Sequence, residues 1–170
     1  MRRDVLDFGL MVRSVLALML IVLLVYGLGR LVTDEPDVTG RSVDYVPIVE
    51  SARRQADFEI LAPPSLPDGW RATSARLEPE GRWTLSVLDP DEDYFGVDQS
   101  PNSVERVLER LASESQPAGS APVADRVWEA HAGPGDRITY VTREGDRTTA
   151  VTSTAEQDEL EAYIETLATS

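Results

Sequence analysis

The longest apolar segment of the chain lies near its N-terminus. Residues Ser14 to Gly29 carry no charge, and together with their apolar neighbours they form a hydrophobic stretch over 10–32. About 20 residues of helix are enough to cross the ~30 Å hydrocarbon core of a bilayer. Arg13 interrupts the stretch near one end, where its guanidinium can reach the lipid headgroups. The pattern predicts a transmembrane helix over 10–32, preceded by a cytoplasmic stub of residues 1–9.

The placement of arginines predicts the orientation of this helix. Arg2, Arg3 and Arg13 lie at its N-terminal end, whereas three acidic residues within 34–37 follow its C-terminal end. The positive-inside rule then places the N-terminus in the cytoplasm and the C-terminal domain outside the cell membrane. A cleaved signal peptide is the alternative, but the apolar run is long for one and lacks a small-x-small cleavage site. We expect an uncleaved, single-pass signal anchor.

Beyond the span, the pattern changes to that of a globular domain. Residues 33–43 have the polar composition of a linker, so the domain is predicted over 44–170. Apolar positions at helical spacing predict a short helix over 44–57. The segment 62–70 contains three prolines, which lack N–H donors, and it is predicted to be an extended strap that delivers Trp70 into the core.

Alternation of apolar and polar side chains then predicts strands. Three strands are expected over 71–78, 82–88 and 93–99, with a hairpin turn at Pro79-Glu-Gly. Ser100 is predicted to cap a following helix, because an apolar stripe at helical spacing begins just after it. That stripe comprises Val104, Val107, Leu108 and Leu111.

The second half of the chain repeats this order. Strands are expected over 127–130, 137–142 and 148–153, followed by a closing helix with a capping box formed by Thr154 and Gln157. The apolar stripe of the closing helix lies at a constant offset from the first stripe, which suggests two ββ(β)α units. The predicted class is α+β, an antiparallel sheet with helices packed on one face, preceded by the transmembrane helix.

Composition excludes several classes of function. The formal net charge is −14 at pH 7, and most of the acidic residues follow the span, so we expect no nucleic acid partner. The chain contains no cysteine, which excludes disulfides, thiol catalysis and thiolate metal ligands. No phosphate-binding loop or nucleotide fingerprint occurs, so we predict no cofactor.

An acidic turn is the densest polar cluster in the sequence. Asp89, Asp91 and Asp93 follow the D-x-D-x-D spacing with which a calcium loop gathers oxygen ligands. An EF-hand continues with glycine at its sixth position and glutamate at its twelfth, where this chain has Tyr94 and Ser100. A solvated turn is preferred, and a calcium-binding module at the Asp89–Asp93 turn is an alternative hypothesis.

Hydrolytic chemistry is a second alternative. His131 is the sole histidine, and without a Gly-x-Ser-x-Gly elbow it is predicted to be a solvated turn residue. Glu78 and Glu129 lie at predicted strand ends, where two carboxylates about 5–9 Å apart would suit an envelope hydrolase. With so many acids in the chain, such a pair also arises by chance.

The preferred hypothesis is a non-enzymatic binding, sensing or scaffolding module of the cell envelope. It predicts an exposed aromatic patch on the uncovered face of the sheet, with Trp83, Trp128 and Tyr140 as candidate binding residues. The expected partners are the membrane, through one integral span, and an envelope protein. The sequence indicates no particular oligomeric state.

Short motifs along the chain resemble a known family. They are Val43-Asp-Tyr45, Pro47, Ala52-Arg53, Leu61-Ala-Pro63, Leu66-Pro67, Gly69-Trp70, Val151 to Ala155, and Glu159-Leu-Glu161. In these the chain resembles an actinobacterial family of membrane-anchored proteins known as domain of unknown function 4245. The likeness covers nearly the whole chain, and the Leu-Pro-x-Gly-Trp element is its most specific part. It implies architecture, host group and topology, and no activity.

Overall fold

Three helices and seven strands make up residues 42–168, the part of the chain that the structure, a computed structural model, describes. In chain order they are α1 (Val46–Gln55), β1 (Arg71–Leu77), β2 (Trp83–Leu88), β3 (Tyr94–Ser100), α2 (Val104–Leu111), β4 (Gln116–Val123), β5 (Arg126–Ala132), β6 (Ile138–Glu144), β7 (Arg147–Ser153) and α3 (Gln157–Ala168). None of these helices is long and apolar enough to cross a bilayer. The predicted stub, the span over 10–32 and most of the linker lie outside the described residues.

The strands form one antiparallel sheet in the order β1-β2-β3-β7-β6-β5-β4. Each strand pairs with its neighbour in sequence, except that β3 and β7 meet at the centre and join the two halves of the chain. The α+β class with an antiparallel sheet is therefore confirmed. Because β1 and β4 are the sheet edges, the central strands β3 and β7 are buried along almost their whole length.

One face of the sheet, called the apolar face, carries the main hydrophobic core. Strand β2 alternates buried and half-buried residues, as the two-residue period of a strand requires when one side is covered. Helices α1 and α3 cover this face with the strap between α1 and β1. The largest core side chains here are Trp83, Leu85, Phe95, Trp128, Tyr140, Ile60, Leu160 and Ile164.

The strap behaves as its prolines predict. It runs extended over the apolar face, where the Leu61 N–H donates to Gln99 Oε1 at 2.8 Å and the Trp83 indole N–H donates to the Leu61 carbonyl at 3.0 Å. At its end, the Trp70 ring lies 4.6 Å from that of Phe95 and 5.9 Å from that of Tyr163. The prediction that the strap delivers Trp70 to the core is confirmed.

Helix α2 lies on the opposite face of the sheet, called the polar face. Its Val107 packs against Val141 and Ala150. These two residues are the chain neighbours of Tyr140 and Val151, which point to the apolar face, and successive strand residues point in opposite directions. The expectation that the helices pack on one face is therefore wrong. Strand β7 offers small and β-branched side chains on both sides, so each face can accept a helix.

The suggested repeat of two ββ(β)α units does not hold as a packing repeat. Three strands precede α2 and four precede α3, and the two helices lie on opposite faces. The additional strand is β4, which was not predicted because Pro117, Gly119 and Pro122 resemble a loop. As an edge strand paired only with β5, it tolerates prolines that cannot donate to a ladder.

Both predicted helix caps differ from the observed ones. The N-cap of α2 is Ser103, whose hydroxyl accepts from the Arg106 N–H, whereas Ser100 belongs to β3. Thr154 does not form a capping box with Gln157. Its hydroxyl accepts from the Tyr94 N–H at 2.9 Å and donates to Asp93 Oδ1 at 2.8 Å, so it ties the end of β7 to the start of β3.

Candidate functional site

The three aromatic residues predicted to form a binding patch lie in the hydrophobic core. Trp83, Trp128 and Tyr140 are each at most 1% exposed. The Trp128 indole N–H donates to the Val123 carbonyl at 3.2 Å, and the Tyr140 hydroxyl donates to Glu161 Oε1 at 2.6 Å. Burial, followed by this hydrogen bond, raises the pKa of Tyr140 to about 12.

The expected exposed patch is therefore wrong, because helices α1 and α3 cover the face on which these rings point. Within residues 42–168, the exposed large hydrophobic side chains are Val46 and Val127. They belong to different elements, α1 and β5, and isolated exposed apolar side chains are normal on a soluble surface. An apolar docking surface is consequently not part of the described domain.

The acidic turn between β2 and β3 is held by its own hydrogen bonds. Asp89 is buried, and its Oδ1 accepts the backbone N–H groups of Asp91 and Asp93, each at 2.8 Å. Asp93 is bound to Thr154, as described above, while Asp91 is exposed. No group of three His, Cys, Asp or Glu side chains in the described part of the chain is placed to hold a metal ion. These contacts give the turn a structural role.

His131 and the proposed carboxylate pair are far from forming a hydrolytic site. His131 lies within β5, only 9% exposed, so its prediction as a solvated turn residue is wrong. Glu78 follows β1 and Glu129 lies on β5, which are separated by five strand spacings in the sheet. At about 4.8 Å per spacing, this is roughly 24 Å, well beyond the separation that a carboxylate pair requires.

A cavity of about 400 Å³ opens on the polar face, beside the C-terminal end of α2. Its volume is within the range of roughly 300–1,000 Å³ that small-molecule sites occupy. Small or hydroxylated side chains from four strands line it: Ser74, Thr84, Ser86, Tyr94, Gly96 and Thr152. Four arginines line it as well: Arg76, Arg82, Arg110 and Arg137. We call this the arginine cavity.

Strand register brings the hydroxyl groups into one row. Ser74 pairs with Ser86, which pairs with Gly96, and Gly96 pairs with Thr152. Outside the cavity the row continues to Thr139 and then to His131. The Thr139 hydroxyl lies 3.0 Å from that of Thr152. Since directly paired residues share a face, the polar face carries a continuous polar row across six strands.

Gly96 allows the Tyr94 ring to lie over the middle of this row. A Cβ placed on Gly96 would overlap the Tyr94 ring, so no other residue fits there without displacing the ring. The Tyr94 hydroxyl lies 3.3 Å from Ser86 Oγ. The ring and the row of hydroxyls therefore form adjoining walls of the cavity.

Asp98 fixes two of the four arginines. This carboxylate is only 4% exposed; its Oδ2 accepts from Arg82 Nε at 2.8 Å and Nη2 at 2.7 Å, and its Oδ1 accepts from Arg110 Nη2 at 2.7 Å. Burial lowers the pKa of Arg82, but the hydrogen bonds and charges of Asp98 and Glu78 together raise it by more, so the net shift is upward. The pairing connects the residue preceding β2 with β3 and α2, and it orients both guanidinium groups at the cavity.

The charges of the cavity do not balance. Glu78 lies 3.5 Å from Arg82 Nη1 and 3.6 Å from Arg76 Nε, so with Asp98 two carboxylates face four guanidinium groups. Arg137 forms no salt bridge or side-chain hydrogen bond within residues 42–168. These groups alone leave two more positive than negative charges in a chain whose net charge is −14, and Arg137 also borders the acids of the depression described next. This excess favours an anion in the cavity.

A larger depression of about 830 Å³ beside the start of α3 has the opposite character. Its charged lining residues are Arg137 and the acids Asp93, Asp136, Glu156 and Glu159. Apart from Arg137, which it shares with the arginine cavity, its charged side chains would repel an anion. Of these two depressions, the arginine cavity is therefore the one whose charged groups favour an anion.

Sequence reasoning missed this site because its residues are dispersed. The arginines come from β1, the β1–β2 connection, α2 and the segment before β6, and they share no spacing along the chain. Ser74, Thr84 and Ser86 alternate with apolar neighbours, which is the pattern of any solvated strand face. Only the strand register and the position of α2 show that these polar side chains surround a cavity.

Comparison with known proteins gives one match. A family model with the description "Protein of unknown function (DUF4245)" matches residues 7–167. No curated protein and no solved structure matches the chain. The matched range includes every residue of the arginine cavity.

Proposed function

The chain belongs to the family Protein of unknown function (DUF4245), and we propose that it is a membrane-anchored, extracytoplasmic module that binds an anionic ligand without catalysing a reaction. The arginine cavity is the observation that carries this proposal. Its four guanidinium groups, paired with only the two carboxylates of Asp98 and Glu78, contrast with an otherwise acidic chain.

The chemistry of the arginines supports an anion as the ligand. A guanidinium has five N–H donors, which match the geometry of carboxylate and phosphate groups. Arg110 contacts Asp98 through Nη2, which leaves its other donors available, and Arg137 has all of its donors available. Charge-assisted hydrogen bonds from such groups are about twice as strong as neutral ones.

The same cavity supports binding rather than hydrolysis. Asp98 is the only carboxylate among the residues that line it, and this group is bound to two guanidinium groups. A glycosidase needs a second carboxylate about 5–9 Å away and a free general acid. The residues in the cavity can hold a charged group but do not provide this pair.

The anchor and the location of the domain are proposed from the sequence. An uncharged run over Ser14 to Gly29 is followed by the acidic linker, and arginines precede it. Resemblance to an actinobacterial family of membrane-anchored proteins supports the same topology and host group. In this arrangement the arginine cavity would be exposed to anionic components of the cell envelope.

Anion binding is tested with inorganic phosphate and the full-length chain in a non-ionic detergent. Arginine Nε–H signals are followed by NMR during the titration, with Arg110→Gln as the test variant. Arg106→Gln is the matched control, because it makes the same substitution on α2 at an exposed position outside the cavity. We expect saturable binding in the parent and control proteins and at least tenfold weaker binding in Arg110→Gln. Absence of saturable binding, or equal affinity of the two variants, would refute the proposal.

Topology is tested separately from binding. Membranes carrying the full chain are washed with alkaline carbonate, and cells stripped of their wall are treated with a protease. We expect the protein to stay in the carbonate-washed membrane and the domain over 44–170 to be digested from outside. Release by carbonate, or protection of the domain in intact cells, would contradict the anchored extracytoplasmic arrangement.

A further inference from the structure

The hydroxyl groups of the arginine cavity restrict the class of ligand further than its charge alone. A site that only neutralises an anion needs cations, whereas this cavity also presents the hydroxyls of Ser74, Thr84, Ser86 and Thr152. They come from strands β1, β2 and β7 and share the polar face. Each hydroxyl is one donor and two acceptor positions, so together they can bind groups that both donate and accept.

Much of this hydrogen-bonding capacity is unused within the protein. Neither Ser74 nor Thr84 forms a side-chain hydrogen bond with residues 42–168. Ser86 has only the 3.3 Å contact with the Tyr94 hydroxyl, and Thr152 is bound to Thr139 at 3.0 Å. At least two hydroxyls are consequently available to a ligand.

The arginines approach these hydroxyls from several sides. Arg76 and Arg82 come from the β1–β2 end of the sheet, Arg110 comes from α2, and Arg137 precedes β6. A ligand that meets both sets of groups must therefore carry its negative charge and its hydroxyl groups on one compact framework. The Tyr94 ring adds an apolar wall, since Gly96 beneath it has no side chain.

We infer that the ligand of the arginine cavity is a sugar bearing an anionic group, a carboxylate or a phosphate. This inference rests on the proposed anion-binding function and specifies its ligand class. The guanidinium groups bind the charge, and the row of serine and threonine side chains binds the sugar hydroxyls. Sites that hydrogen-bond ligand hydroxyls discriminate against analogues lacking them, because their own polar groups are then left unpaired.

Two matched ligand pairs test the inference on the full-length chain in non-ionic detergent. D-glucuronate is compared with cyclohexanecarboxylate, which has the same ring size and charge but no hydroxyls, and glucose 6-phosphate is compared with inorganic phosphate. We expect at least tenfold tighter binding of the hydroxylated member in one or both pairs, measured by calorimetry. Tighter binding of glucuronate would identify the anionic group as a carboxylate, and tighter binding of glucose 6-phosphate would identify it as a phosphate.

Ser86→Ala tests the role assigned to the hydroxyl row, with the exposed strap residue Ser65→Ala as its control. We expect Ser86→Ala to weaken binding of the hydroxylated ligand more than binding of inorganic phosphate, reducing the preference at least threefold, and Ser65→Ala to leave both affinities unchanged. Equal affinity within both pairs, with phosphate binding intact, overturns the sugar inference and leaves anion binding standing. If the parent protein binds none of the four ligands, phosphate included, both the sugar inference and the proposed anion binding are overturned.

Discussion

The two faces of the sheet are built from the same strands but differ in what they hold. On the apolar face, α1, α3 and the strap enclose large side chains such as Trp83, Phe95 and Leu160, each fully buried. On the polar face, α2 covers a cluster of three buried residues, and the remaining surface is a row of hydroxyls and arginines beside a cavity. One face holds the main hydrophobic core, and the other carries the arginine cavity.

This difference follows from the size of the helices and of the side chains beneath them. Helix α3 has 12 residues and α2 has 8, so α2 leaves part of its face uncovered. Under the uncovered part lie the small side chains of Ser74 and Ser86, which leave space, and Gly96, which makes room for the Tyr94 ring beside the cavity. A small-residue face under a short helix is what makes a cavity possible here.

The largest effect is expected on the apolar face, from Trp83→Ala. The Trp83 side chain is fully buried and its indole donates to the strap at Leu61, so its removal leaves a cavity and an unpaired carbonyl. We expect a loss of about 3–5 kcal/mol in the free energy of unfolding, measured by urea denaturation with circular dichroism. The exposed Val127→Ala should change it by less than about 0.5 kcal/mol. Equal stability of the two variants would show that the apolar face is not the main core.

A smaller loss of stability is expected on the polar face, from Asp98→Asn. Removing this charge leaves Arg82 and Arg110 without their shared carboxylate, but both are partly exposed and can be hydrated, so we expect a loss of about 1–3 kcal/mol. The same change raises the positive charge of the cavity, and phosphate should bind more tightly. Asp91→Asn, an exposed acid of the β2–β3 turn, is the control. Weaker phosphate binding in Asp98→Asn would contradict the electrostatic account.

Val107→Ala tests how firmly α2 is held. Val107 is the one fully buried residue of this helix, and removing its two methyl groups should cost about 1–2 kcal/mol. Because the other apolar side chains of α2 that pack here, Val104, Leu108 and Leu111, are only partly buried, the loss should be local. Hydrogen exchange is expected to accelerate in α2 and remain unchanged in α3. Acceleration throughout the domain would mean that the two faces unfold together.

The smallest effect is expected from Tyr140→Phe, which removes the hydrogen bond to Glu161 at the edge of the apolar core. We expect a loss of about 0.5–1.5 kcal/mol at neutral pH. The pKa of Tyr140 rises from about 10 unfolded to about 12 folded. Its contribution is therefore complete below pH 10 and is lost as the pH rises through about 12.

The pH profile provides the check on this variant. The parent protein should lose stability between about pH 10 and 12, and the Phe variant should lose less, since Tyr45 and Tyr163, whose pKa burial also raises, are common to both proteins. The Tyr140 hydrogen bond also lowers the pKa of Glu161. This second contribution to the free energy of unfolding is present above about pH 4.3, the unfolded pKa, and it is lost as the pH falls through the folded pKa of Glu161. Parallel profiles for parent and variant would rule out this coupling.

Periodicity predicted most of the fold. Six of the seven strands and all three helices were located, and the proline strap was correctly assigned, because each depends on local spacing of apolar side chains or on the geometry of proline. Strand β4 was missed because an exposed edge has no alternation to detect. The caps at Ser100 and Thr154 were wrong because both residues fit a local motif that tertiary contacts override.

The candidate site could be predicted far less well. Trp83, Trp128 and Tyr140 are large aromatics in strands, and their sequence pattern is the same whether the face they share is covered or exposed. What decided their burial was the docking of α1 and α3. The turn at Asp89 to Asp93 was identified as a polar cluster, but its internal hydrogen bonds depend on the backbone conformation of the turn.

The α+β class, the strap, the acidic charge and the absence of cysteine follow from the amino-acid sequence alone, because they depend on composition and on interactions between residues close in the chain. Which face each helix covers and which polar residues meet depend on contacts between residues far apart in the chain. Asp98, Arg82 and Arg110 converge because β2, β3 and α2 are brought together by packing. Ser74, Ser86 and Thr152 align because strand register sets their neighbours, and register between distant strands is a property of the folded sheet.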